Sequence, residues 1–124
     1  MLFEHERPVA ILDFDFMQVK ERVFDVAYAL YWWFDKQGNG QLAKVNLWHK
    51  VKELFACYNG STQMPLTYEE RQALPLEMAR VPLYWIAETH FFANPAQEVI
   101  QHANKVANAR WILKNCNHLL DLFA

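Results

Sequence analysis

Residues 25–34, DVAYALYWWF, constrain this chain more than any other stretch. They contain no glycine or proline, so they can run as one helix. From Val26 to Phe34 almost every position is apolar. A helix that is apolar nearly all round has no face suited to water and must be covered on several sides. The run is also too short to span a bilayer, which takes about 20 residues. The cover therefore has to be protein. At 124 residues the chain is long enough for one domain with a real core. An aromatic content of 15% and only three glycines point to a packed, helix-rich fold, not a disordered segment.

The elements around that run follow from local signals. Residues 1–3 and 9–12 are apolar and flank the polar stretch Glu4-His5-Glu6-Arg7, which predicts a β-hairpin within residues 1–16 whose second strand ends at Asp13. Asp25 is placed as N-cap of a helix that starts at Val26 and is ended by Gly38-Asn39-Gly40. A second helix is expected over 42–58, with Leu47, Val51, Leu54 and Phe55 on one face and Asn59-Gly60 as its stop. Thr67 and Glu70 have the spacing of a capping box for a short turn. Pro75 then suits the first position of a further helix running to about Phe92, kinked or split at Pro82. Asn94-Pro95 opens a last helix, with Val99, Ala103, Val106, Arg110 and Leu113 as its stripe. The expectation is a single domain, mainly α: a short hairpin and about five helices over 25–124.

Composition narrows the function classes. The net charge is −2 and no basic tract exists, so nucleic acid is a poor partner. The N-terminus has no signal-peptide pattern, and Cys57 and Cys116 lack metal or redox spacing. The reading is a cytoplasmic protein with two reduced, buried thiols. His5, His49, His90, His102 and His118 form no metal pattern, and Ser61 lacks the setting of a nucleophile.

Chemistry concentrates at ILDFDF, residues 11–16. Along a strand, Asp13 and Asp15 point to the same side. Two such carboxylates suit Mg²⁺, which takes oxygen ligands. Solvated aspartates starting a turn fit the same spacing.

The longer stretch PVAILDFDFMQVKERVFDVAYAL resembles the aminoglycoside phosphotransferase and choline/homoserine kinase-like family. There a hydrophobic strand ends in Asp-Phe-x, followed about ten residues later by an aromatic-Asp-(Leu/Val)-Ala sequence. Here these are Asp13-Phe14-Asp15 and Phe24-Asp25-Val26-Ala27. The resemblance implies the C-terminal subdomain of a protein-kinase-like fold. It implies that Asp13, with Asp15 as a second contact, holds the Mg²⁺ bridging ATP phosphates. It also implies that Asp25 braces the catalytic loop by hydrogen bonds.

Phosphoryl transfer needs several parts at once. These residues contain no Gly-rich loop, no Lys before Asp13 and no His-Gly-Asp-x-x-x-x-Asn loop. The expectation is therefore a partial small-molecule kinase that is inactive alone, with ATP and Mg²⁺ as the family's cofactors and a small hydroxyl compound as substrate. The alternatives are a non-enzymatic helical interaction module and one half of a split kinase. Trp33, Tyr84, Trp85 and Glu88 are candidate pocket residues for a cationic amine, by cation–π and charge attraction. Tyr31, Trp32, Asp35 and Glu77 stand beside them as candidates, and for all of these residues core packing of the aromatics and a solvated face for the acids is the simpler account. An uncovered apolar helix and an unpaired strand edge point to a homodimer or to an N-terminal kinase half as partner.

Overall fold

The computed structural model describes residues 2–10, 21–44 and 48–124. Within them the chain is mainly helical. Strand β1 (Leu2–Glu4) pairs antiparallel with β2 (Arg7–Ala10), Glu4 lying opposite Arg7. His5 and Glu6 join them at φ of 48° and 64°. Two successive positive φ angles are what a tight hairpin of the correct twist demands. Residues 11–20, with the expected strand end, lie outside the described residues.

Helix α1 spans Arg22–Gln37 and so begins earlier than expected. Glu21 is its N-cap and makes no side-chain cap bond; Asp25 lies inside the first turn instead of capping it. The extra turn is held from outside. The Arg22 guanidinium donates to both Glu70 carboxylate oxygens and to the carbonyls of Met64 and Pro65. The helix ends as expected at the glycines. Gly40 has φ 80°, and a Cβ there would come within 3.1 Å of Asn104 Nδ2. Glycine is needed at that position for both reasons.

Three further expectations are corrected. Residues Leu42–Lys44 form one 3₁₀ turn, and α2 spans Trp48–Ser61. The Leu42 N–H is taken by Asn108 Oδ1 at 3.1 Å, outside any helix ladder. Gly60 does not stop α2, since a helix tolerates an isolated glycine at modest cost. Next, Thr67 caps a single long helix, α3, Tyr68–Ala87, not a short turn. Both halves of the capping box form: Glu70 N–H to Thr67 Oγ1 at 3.2 Å, and Thr67 N–H to Glu70 Oε2 at 2.7 Å. Pro75 and Pro82 lie inside α3 and are fully buried. They are seven residues apart, hence on one face, and that face packs into the core. Each forfeits one ladder bond, and burial of both rings offsets the loss. A 3₁₀ turn over Glu88–Phe91 follows.

The expected last helix is three: α4 (Pro95–Gln101), α5 (Ala103–Lys114) and α6 (Cys116–Phe123). Asn94 caps α4 and Pro95 takes its first position, as the sequence implies. The buried face of α5 is Lys105, Asn108, Ala109 and Ile112, not the stripe through Val99 and Leu113, which are both exposed.

Helix α3 is central, packed against α1, α5 and α6, while α2 rests on α6. Tyr31, Phe34, Leu74, Met78, Ile112, Leu119 and Phe123 are fully buried. Phe34 meets Trp48 and Trp111, and those two indoles stack at 5.2 Å. The apolar run of α1 is thus covered by α3 on one flank and by this aromatic group at its C-terminal end. Among the described residues, none fills its other flank.

Candidate functional site

That unfilled flank is a groove of about 440 Å³ between α1 and α2. Val26, Ala29, Leu30 and Trp33 line it from α1, and Leu54, Phe55 and Tyr58 from α2. Arg22 and Asp25 stand at one end. The spacing 22, 25, 26, 29, 30, 33 is one continuous helical stripe. Val26, Leu30 and Phe55 are buried, whereas Leu54 and Tyr58 remain exposed.

The two charged residues differ. Arg22 is committed to Glu70, which raises its pKa through the hydrogen bond. Glu70 is held down to about 2, first by that bond and then by the Thr67 N–H. Asp25 is exposed and makes no hydrogen bond to another described residue. Among the described residues that line the groove, the one charged side chain with no ion pair is therefore Asp25.

On the opposite flank of α1 a polar junction is buried. Asp35 Oδ1 accepts from Lys105 Nζ at 3.0 Å, Asn108 Nδ2 at 3.2 Å and the Tyr31 hydroxyl at 3.3 Å. Asn108 Nδ2 also donates to the Gly40 carbonyl at 3.1 Å, as Asn104 does at 2.8 Å. Burial pushes the Tyr31 hydroxyl pKa up, so it stays protonated. Lys105 Nζ lies 4.6 Å from the centroid of the Trp32 ring, a cation–π contact. Asp35, Lys105, Asn108 and the Tyr31 hydroxyl are all engaged with one another or with the Gly40 carbonyl, while the buried Trp32 Nε1 has no hydrogen-bond partner among the described residues. The junction ties α1, the glycine turn and α5 together.

The expected site residues divide among these places. Asp13 and Asp15 lie outside the described residues. Asp25 and Trp33 share the groove. Tyr84, Trp85 and Glu88 sit near the end of α3 and do not line it. A hydrogen bond to Glu88 raises the Tyr84 pKa, and Trp85 stands edge-on to Trp32 at 5.6 Å. The four residues proposed as one amine pocket are therefore not brought together. Asp35 is engaged by Lys105 and Glu77 by Arg80. Trp32 and Tyr31 do hold a cation, and it is the chain's own Lys105. Cys57 is exposed and Cys116 half-buried; both are free thiols.

Sequence reasoning missed Lys105 and Asn108. Their spacing with Ile112 was the available signal, but two polar residues in three positions do not read as a buried stripe. Among the described residues no group of three or more His, Cys, Asp or Glu is placed to hold a metal ion, and no helix is long and apolar enough to cross a membrane. Compared with protein-family models, curated proteins and solved structures, the chain matches none.

Proposed function

We propose that this chain is the helical part of a phosphotransferase-like assembly and transfers no phosphate by itself. Its complement supplies the nucleotide lobe and the catalytic loop. The paired motifs Asp13-Phe14-Asp15 and Phe24-Asp25-Val26-Ala27 support the reading. The observation that carries it is Asp25. The resemblance expects this carboxylate to brace a catalytic loop, these residues contain no such loop, and the carboxylate stands exposed at the mouth of an apolar groove, available to a segment from outside. Asp13 is the Mg²⁺ ligand in this reading, with Asp15 beside it, and ATP is the phosphate donor.

The test is ATP titration of the chain mixed with a polypeptide carrying the N-terminal lobe and catalytic loop of the resembled family. Affinity should tighten about tenfold or more with Mg²⁺, and Asp13→Ala should abolish that dependence. Nucleotide binding indifferent to Mg²⁺, or none, would sink the reading.

A second reading has its own observation. The groove and its exposed rim residues Leu54 and Tyr58 suit an interaction module with no chemistry. A module of that kind binds its partner equally well without Mg²⁺ or nucleotide.

A further inference from the structure

Helix α2 is held less firmly than the helices beside it. Two of its 14 residues, Val51 and Phe55, are buried, against seven of 16 in α1. Its first residue, Trp48, joins the ring group of Phe34 and Trp111. Beyond that its main packing among the described residues is on α6, where the Phe55 and Phe123 rings lie 5.0 Å apart. Toward α1 it faces the groove, and Leu54 and Tyr58 stay exposed there. Few buried apolar contacts and a solvated flank mark a segment that opens at lower free energy than the whole fold.

The far end of α2 is fastened. Asn59 Oδ1 accepts the Leu66 N–H at 2.8 Å, so the connection over 62–66 folds back on the end of α2. The Arg22 guanidinium donates to the Met64 and Pro65 carbonyls of that connection, and to both carboxylate oxygens of Glu70 in the first turn of α3. One side chain from α1 thus ties the end of α2 to the body. The planar fork of five donors can serve carbonyls and a carboxylate together, which the point charge of a lysine cannot.

We propose that α2 and the 62–66 connection form a local opening unit, which undocks and unfolds while α1, α3 and α5 stay folded, and that Arg22 is the latch that sets how often it opens. Opening uncovers Phe55 and the α1 residues Val26 and Leu30, so the depth of the groove is governed at Arg22. This device needs no phosphoryl transfer and no occupant of the groove.

The experiment is amide hydrogen exchange of the full chain, read by mass spectrometry at rising urea concentrations below the unfolding transition. After correction for intrinsic rates, residues 52–66 should exchange at least about tenfold faster than residues 74–87 of α3. Arg22→Lys keeps a positive charge toward Glu70 and loses the fork over the carbonyls. It should speed exchange of 52–66 about tenfold further and leave 74–87 and 103–114 unchanged. Val81→Ala trims the core 11 residues along α3 from Glu70, about 16 Å away at the helical rise. It should do the reverse, speeding 74–87 and leaving 52–66 unchanged. The comparison within the wild-type chain decides whether the unit exists, whatever the stability of the variants. Equal protection of 52–66 and 74–87 there would overturn the opening unit. Arg22→Lys speeding every helix alike, or none, would overturn the latch.

Discussion

Lys105 occupies a position where the packing of α5 would ordinarily place an aliphatic residue. It is only 8% exposed, and it is tolerated because Asp35 and the Trp32 ring receive its charge. Removing one partner of a buried pair leaves the other charge uncompensated, which is costly, whereas removing both often is not. Lys105→Met should therefore destabilise the chain by about 3 kcal/mol in urea unfolding. Adding Asp35→Asn should recover more than half of that. If the double variant is no more stable than Lys105→Met, the junction does not act as an ion pair.

At the scale of elements, the capping box decides where α3 begins. Thr67→Ala removes an acceptor for the Glu70 N–H and should cost about 1 kcal/mol, with Thr67→Ser restoring most of it. Glu70 has a second duty toward Arg22, and its folded pKa is about 2, below its ordinary 4.5. A carboxylate depressed in the folded state contributes stability above its unfolded pKa and loses it as pH falls through the folded value. The loss is therefore expected between about pH 4.5 and 2. Glu70→Gln, which can still serve the cap, should flatten the acid limb of a stability–pH curve across that window. An unchanged limb would show that the Arg22 pairing carries no stability.

These elements also show what the sequence makes legible. The box at Thr67 and the Asn94-Pro95 start were readable because capping depends on a few neighbouring residues. The length of α3 was not, because Pro75 and Pro82 look like breakers until their shared buried face is known. The true start of α1 was hidden because Arg22 is held by residues more than forty positions away. At the candidate site, Asp25 and Trp33 were legible as charge and ring, but the groove that joins them depends on where α2 lies. Tyr84, Trp85 and Glu88 were chosen for their chemistry alone, and the course of α3 puts them on a different flank.

Taken as a whole, the described residues form a helical body with its core around α3 and a groove between α1 and α2. Phe91, Phe92 and Ile100 add a second exposed apolar area around α4. The most direct test is phosphoryl transfer from γ-labelled ATP to a panel of hydroxyl compounds, with the chain alone and with the N-terminal lobe polypeptide. The expected result is no transfer by the chain alone, and transfer in the mixture that Asp13→Ala abolishes. Transfer by the chain alone, or none in a mixture shown to have assembled, would contradict the account.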